Sequence, residues 1–294
     1  MKKGNENRTS IILDVEMRQK KAKIIQAFLV IFFIIVSMAF FLPILWMMIS
    51  SFKGTQEFMQ VPPTLLPEHF DLGKIGRVWA KGKLSRTYLV TSVMVAGDVA
   101  CSLFCCGLGG YVLSRLKPAG TKAALAVVLW SMMMPSNLGM VPLFINLTNG
   151  IFGISMMDTY LPLWIMQGGN AFNTLLFKSF FDGISKTYLE AARVDGGSEL
   201  TIFWKTIMPL SKPVFMSVAI FTVVGGWGSF LWPSLILKNR ELHPIGLALL
   251  NMEKTLPIDE YLMLLIFAIV PPILFFILFQ KYIMEGVSVG GIKG

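Results

Sequence analysis

The sequence predicts an all-α polytopic membrane protein built as a bundle of six transmembrane helices, and three observations carry that prediction. Hydrophobic residues make up 54% of the 294 residues and charged residues only 15%, against about 25% charged in ordinary soluble domains. The mean hydropathy is +0.66. The apolar residues also gather into six long runs with Lys and Arg concentrated beside them, the pattern that bilayer thickness and the positive-inside rule impose. Those long apolar runs favour a single bundle over one or two soluble domains.

Residues 1–23 hold Lys2, Lys3, Arg8, Arg18, Lys20, Lys21 and Lys23, a basic segment expected in the cytoplasm. The run 24–49 that follows contains no charge. At about 1.5 Å per residue it reaches roughly 39 Å, more than the ~30 Å hydrocarbon core. A cleavable signal peptide has an apolar core of only about 7–15 residues, so a retained first helix is expected. The stretch 51–86, with Pro62, Pro63, Pro67 and mixed charge, reads as an outer loop.

The second run, 88–113, contains Gly97, Gly107, Gly109 and Gly110, small residues of the kind that let membrane helices approach closely. Asp98 is the single acid inside this run. Its plainer reading is a carboxylate near the outer end that reaches water; the other is a functional group in the membrane. Arg115, Lys117 and Lys122 bracket Pro118 and Gly120 in a cytoplasmic turn.

The third run, 123–147, is interrupted by Pro135 and Pro142 and holds Met132, Met133, Met134 and Asn137. Interrupted helices often line transport paths, because freed backbone groups need a cavity or a packed partner. The methionines read as core filler. A short outer turn, 150–158, leads to the fourth run, 159–181.

Between the fourth and fifth runs lies the passage EAARVDGGSELTIFWKTIMPLSKP, residues 190–213. Tyr188, Ala191, Ala192 and Asp195 share one helical face. Gly196 and Gly197 break that helix, since glycine enters the left-handed region without steric cost. Ser198 is an N-cap for the next helix, and Glu199 suits the positive end of its dipole. Leu200, Phe203, Trp204, Ile207 and Met208 then recur at helical spacing as one apolar stripe. Pro209 and Pro213 are expected to end this helix and start the next. Such a helix–glycine–helix beside a membrane is shaped to seat in another protein's groove; the plainer reading is an amphipathic hairpin joining two membrane helices.

The fifth run, 214–237, contains Gly225, Gly226, Trp227, Gly228, Ser229, Phe230, Trp232 and Pro233. An outer loop, 238–260, precedes the sixth run, 261–282, which Pro271 and Pro272 should bend. Lys and Arg number 17 on the stretches assigned to the cytoplasm (Lys178 included) and 9 on the outer ones, placing both termini inside.

Several function classes lack their residues. No Gly-x-x-x-x-Gly-Lys-Ser/Thr phosphate loop occurs, nor Gly-x-Ser-x-Gly or His-Glu-x-x-His. Cys101, Cys105 and Cys106 sit in one apolar run without a CxxC or histidine cluster, so they read as small buried packing residues rather than a metal or redox site. His69 and His243 read as solvated loop residues. The charge of +9 flanks the apolar runs and carries no basic–aromatic nucleic-acid motif.

Glu190, Ala191, Ala192, Asp195, Gly196, Ile207, Pro209 and Pro213 resemble the "EAA" loop of binding-protein-dependent ABC importer permeases. The surrounding chain is similar to the carbohydrate branch, which contains the maltose-type permease subunits. The 150–158 turn resembles that family's glycine–hydrophobic–Asn–Thr–Tyr pattern, with Asp158 before Thr159 and Tyr160. The tail, EGVSVGGIKG, resembles its glycine-ending C-terminus. One departure is the fifth run, where the branch usually shows Trp-Asn followed by a polar residue and this chain has Gly228 and Ser229.

The resemblance implies a type I ABC importer permease-like bundle in a bacterial or archaeal cell membrane. Its parts would be a cytoplasmic segment 1–23, a permease domain 24–284 with a coupling loop 182–213, and a cytoplasmic tail 285–294. It implies no catalytic residue, no metal site and no cofactor bound by this chain; ATP and Mg would be used by a partner ATPase. Glu190, Ala191, Ala192, Asp195, Gly196, Phe203, Ile207 and Pro209 would dock that ATPase. The implied partners are a second homologous permease, an ABC ATPase dimer, an extracytoplasmic solute-binding protein, a sugar and membrane lipid, with no nucleic acid. Asn137, Trp227 and Trp232 are candidates for the substrate path, since sugars combine hydroxyls with apolar ring faces, against the alternative that each packs on a neighbour. The runner-up function is a secondary, ion-coupled transporter, which would call for buried ionisable residues that these runs nearly lack.

Overall fold

The structure, a computed structural model, describes residues 20–135, 138–150 and 155–291, with side chains described only within 23–281. Two compact units divide the chain, 1–71 and 72–294. Among the described residues every regular element is helical.

In the first unit, α1 is Lys20–Ser50, 31 residues with Pro43 inside it. A membrane helix tolerates the donor a proline removes where the freed carbonyl finds another partner. The chain then turns through α2, Thr55–Phe58. Lys53 is 1% exposed; its ammonium donates to the Thr64 carbonyl and lies 4.4 Å from the Trp46 ring centroid. The Glu57 carboxylate accepts from the Thr64 hydroxyl at 2.9 Å and the Glu68 amide at 3.0 Å. These bonds pin the proline-rich stretch.

The second unit begins with α3, Gly73–Lys81, so the later part of the expected outer loop is a helix. Its Lys74 is buried 2.5 Å from Asp259, and Lys81 meets Glu260 at 2.6 Å. Trp79 stands edge-on to Tyr88 and Phe267. Two ion pairs hold α3 to the helix that begins at Ile258, and Trp79 ties it to that helix and to the one that begins at Leu84.

Helix α4 spans Leu84–Leu116, with π-helical turns at Ser102–Cys106 and Val112–Leu116. Its glycines are close-approach points. A Cβ at Gly97 would fall 2.1 Å from the Trp164 indole, and one at Gly110 would fall 2.6 Å from the Phe177 Cβ. Of the three cysteines on this helix, Cys106 is buried as expected, whereas Cys105 is exposed.

The third and fourth apolar runs are each broken in two. Helix α5, Thr121–Met133, ends where Met134 turns extended ahead of Pro135, the conformation a following proline imposes. Helix α6, Met140–Asn149, begins just before Pro142; the proline occupies a first turn, where its missing N–H leaves no bond unmade. Helix α7 is Leu161–Gly168 and α8 is Ala171–Asp182. The break between α7 and α8 has no proline. Gly168, Gly169 and Asn170 make it, and the Asn170 side chain caps α8 by accepting from the Asn173 amide at 3.0 Å.

Helix α9, Lys186–Val194, leads to α10, Glu199–Leu210, and α11, Lys212–Trp227, with an 83° bend between the last two. Pro209 does not end α10 as expected. A π-helical turn at Phe203–Ile207 carries the helix past it to Leu210, and the corner falls at Ser211. Pro213 does start α11, in its first turn. The chain closes with α12, Leu231–Ile236, α13, Ile245–Met252, and α14, Ile258–Gly291, which runs through Pro271 and Pro272. The stretch set apart as a tail from residue 285 is thus helical to Gly291.

Among the described residues, three helices are long and apolar enough to cross a membrane by themselves, in α1, α4 and α14. The bundle is all-helical as expected, and the bent pair α10 and α11, taken together, is also long and apolar enough to count as a fourth span. In the second unit α11 packs against both α4 and α14, and α4 also packs against α7 and α8. One core cluster joins α4, α8, α9, α10 and α11 around Tyr111, Phe177, Phe181, Phe203 and Phe215. A second lies towards the other end of α4 and gathers Met94, Val95, Leu147, Leu163, Ile236 and Leu237.

Candidate functional site

The 182–213 segment is a rigid corner with one face outward. Asp195 caps α9, Gly196 follows at φ +79°, and the Gly197 amide bonds the Ala192 carbonyl at 3.0 Å while the Gly196 amide bonds Arg193 at 3.0 Å. This paired 6→1 and 5→2 pattern is the Schellman stop, which needs a left-handed residue at its centre. Ser198 then caps α10 by accepting from the Thr201 amide at 3.3 Å. Arg193 reaches across the corner to Glu199 at 2.9 Å, and the Tyr111 hydroxyl donates to the same carboxylate at 2.8 Å. The Arg193 guanidinium and then the Tyr111 hydroxyl hold Glu199 below the usual carboxylate range. Ser114 and Lys178 both bond Asp182, and Arg115 donates to the carbonyls of Phe181 and Ile184. The corner is thereby clamped to α4 and α8.

Of the residues expected to dock a partner, Glu190, Ala191, Asp195, Gly196 and Pro209 are exposed. Ala192 is half-buried against the core. Phe203 and Ile207 are fully buried, which corrects their reading as surface residues: they anchor α10 from beneath. The apolar residues facing outward are Tyr188, Val194, Leu200, Trp204 and Leu210, of which Val194 is the most open at 88% exposure. The spacing rules found one stripe on α10; its Phe203 and Ile207 edge packs into the core, and its Leu200 and Trp204 edge is exposed.

Between the two core clusters lies a cavity of about 360 Å³, bounded by α4, α7, α8, α11 and α12. Its polar wall includes Asp98, Gln167, Asn170, Asn173, Thr222 and Ser229, and Trp232 contributes an aromatic face. Asp98 is 7% exposed, and its Oδ1 has no hydrogen-bond partner among the described residues. Gly226 makes room for it: a Cβ there would stand 3.1 Å from Asp98 Oδ2. The Asn173 amide donates to Ser102 at 2.9 Å, and Gln167 reaches Thr222 at 3.4 Å.

Of the three path candidates, Trp232 lines this cavity. Trp227 does not; its indole donates to the Ala268 carbonyl at 3.0 Å and lies near Tyr88, so it fastens α11 to α14. Asn137 lies outside the described residues. Asp98 was expected near the outer end of its run, in reach of water. The helix instead begins at Leu84, and 14 residues at about 1.5 Å put Asp98 roughly 21 Å along it, in the middle of the span. Gln167, Asn170 and Asn173 were missed; the signal that marks them is the Gly168-Gly169-Asn170 break, which exposes polar residues where a straight helix would pack.

In the turn before α7, Asp158 sits at φ +58° and its carboxylate accepts from the amides of Lys238 and Asn239 at 2.6 and 2.8 Å. An aspartate is among the few non-glycine residues that take this conformation readily. His243 is bound rather than simply solvated: its ring faces the Leu237 carbonyl at 3.1 Å and Asn251 at 3.2 Å.

Residues 107–289 match the family described as binding-protein-dependent transport system inner membrane component. The arabinooligosaccharides transport system permease protein AraQ of Bacillus subtilis (strain 168) is 29% identical over 271 residues, covering 90% of this chain and 95% of its own. The galactooligosaccharides transport system permease protein GanQ of the same organism is 28% identical over 291 residues, covering 97% and 100%. Among solved structures, a bacterial ABC transporter involved in the import of the acidic polysaccharide alginate contains a chain that superposes with a TM-score of 0.77 at 24% identity, covering 90% of this chain and 98% of that one. That last likeness is one of fold.

Proposed function

This chain belongs to the binding-protein-dependent transport system inner membrane component family, and from that premise we propose that it forms half of the path by which an ABC importer carries a sugar or oligosaccharide across the membrane. It is a multi-pass membrane permease subunit. The relatives are named as permeases for arabinooligosaccharides and galactooligosaccharides, and an ion-coupled secondary transporter finds no support among them. The sugar runs past the polar cavity wall at Asp98 and Trp232. ATP, with Mg, is hydrolysed by a separate ATPase dimer; a second permease completes the path, and an extracytoplasmic binding protein delivers the solute.

The observation that carries the coupling role is the outward apolar face of α9 and α10. Tyr188, Val194 and Leu200 are exposed on a corner whose backbone is fixed by the Gly196 stop. Exposed apolar side chains on a rigid helical corner fit a groove in a partner. In this reading Glu190, Ala191, Asp195, Gly196 and Pro209 meet the ATPase, while Ala192, Phe203 and Ile207 transmit its movement into the core.

Two measurements test the proposal. Proteoliposomes holding this chain with its second permease, ATPase and binding protein are expected to take up sugar, and those holding this chain alone are expected to take up none. Uptake by the single chain would overturn the heteromeric reading. Orientation is tested in a variant lacking Cys101, Cys105 and Cys106, with single cysteines at Ser198 or Asn239. An impermeant maleimide applied from outside should label position 239 and miss 198; the reverse pattern would place the corner outside and end its docking role.

A further inference from the structure

We propose that a basic cleft at the start of α4 is where the extracytoplasmic binding protein meets this chain, and that the cleft receives acidic side chains of that protein. This rests on the importer reading and adds the place and the charge of the contact. The cleft has a volume of about 400 Å³ and lies between the end of α3, the first turn of α4, the 240–242 turn and α13. Lys81, Lys83, Arg86 and Arg240 line it, and Glu241 is the only carboxylate among the described residues that do. The Glu241 carboxylate is shared by Lys83 at 3.6 Å and Arg86 at 2.9 Å, and Lys81 is matched by Glu260 at 2.6 Å. Four cations thus face two carboxylates, and the surplus is positive. The side chains of Lys81, Lys83 and Arg86 are each half or more exposed, so the charge is open to an arriving partner. Lys83 also caps α4 at φ +46°, a conformation that glycine takes with less strain.

Helix α4 decides which partner this is. Its 33 residues reach roughly 50 Å, and Ser114 and Arg115 at the far end hold the coupling corner. With that corner against the ATPase in the cytoplasm, the cleft opens on the other side of the membrane, where the binding protein arrives. A permanent partner such as the second permease favours a contact core depleted in charge. A partner that arrives and leaves in every cycle gains more from long-range steering, which an exposed surplus of one sign supplies. A small anion gains little here, because exposed ion pairs contribute only about 0–1 kcal/mol each.

The test measures association of sugar-loaded binding protein with the complete importer, both permeases and the ATPase included. Nanodiscs of phosphatidylcholine carry no net lipid charge, so steering comes from protein alone. The association rate is expected to fall about tenfold or more between about 20 mM and 500 mM salt, with the dissociation rate changing far less. Lys83→Glu combined with Arg240→Glu should slow association about fivefold or more at low salt and flatten the salt dependence. Glu241→Gln removes the opposing charge and should speed association, the reverse of what structural damage would do. Should the double variant fail to assemble, Arg240→Gln, a neutral change at an exposed residue, should slow association about twofold. A steep salt dependence that none of these variants alters places the contact elsewhere and leaves the importer reading standing. Unchanged association with reduced uptake at saturating binding protein would make the cleft part of the sugar path and overturn the docking assignment. An importer that neither binds nor responds to any binding protein overturns the importer reading, and the cleft assignment falls with it.

Discussion

Gly196→Val is expected to remove binding-protein-stimulated ATP hydrolysis and sugar uptake together, while the permease remains in the membrane at normal abundance. The reason is conformational rather than a lack of room. A Cβ at Gly196 would meet nothing within 4 Å, but the residue sits at φ +79°. A β-branched side chain resists that region by about 1–3 kcal/mol, enough to shift a two-state corner roughly 5- to 150-fold towards another conformation. Protein stability is typically about 5–15 kcal/mol, so the bundle survives while the Schellman stop opens. Leu200 and Val194 then lose their fixed relation, and α10 no longer presents the face that docks. Gly196→Asn is the control, because asparagine tolerates the left-handed region; it should keep most of the stimulated rate. Reconstituted complexes compared with and without liganded binding protein give the answer. A wild-type stimulated rate in the valine variant would falsify the assignment of Gly196 as the coupling corner.

The second large effect is expected at Gly97. Even alanine there puts its Cβ 2.1 Å from the Trp164 ring, and that indole donates to the Met94 carbonyl at 2.9 Å. The substitution must drive the tryptophan out, losing its bond and opening α4 from α7. Overpacking and the lost hydrogen bond together cost about 3 kcal/mol or more, well above the ~1 kcal/mol that alanine gains over glycine in a helix. Thermal unfolding in detergent should show a clear fall for Gly97→Ala. The clash is isolated by a double-mutant cycle. In a Trp164→Ala background, itself destabilised, adding Gly97→Ala should cost little or nothing further. An equal additional loss in that background would mean that Gly97 matters for some reason other than Trp164.

What the residues revealed in advance follows from how local each rule is. The Gly196 stop, the Ser198 cap and the Pro213 helix start are decided within a few residues, and each appears where local backbone chemistry requires it. Pro209 escaped the rule by one residue: a π-helical turn at Phe203–Ile207 precedes it and the helix runs on to Leu210. The cavity was only partly legible. Trp232 was found as an aromatic in a glycine-rich run, but Trp227 in the same run turned to bond Ala268. Asn170 and Gln167 escaped notice because the fourth run reads as continuous, and its break at Gly168-Gly169-Asn170 lacks the proline that marks the third.

The sequence by itself determined a helical membrane protein, the family to which it belongs and the corner that carries its most specific motif, because hydropathy, glycine conformation and helix caps act over short stretches of chain. Only the tertiary structure decided that Phe203 and Ile207 face inward while Leu200 faces out, and that Asp98 lies in the middle of its helix beside a polar cavity. Those outcomes depend on the packing of α10 against α4, α8 and α11 and on the contacts of α4 with α7, α8 and α11. The physical reason is that a helical stripe records which residues share a face, whereas the side that meets the core is set by neighbours far away in the chain.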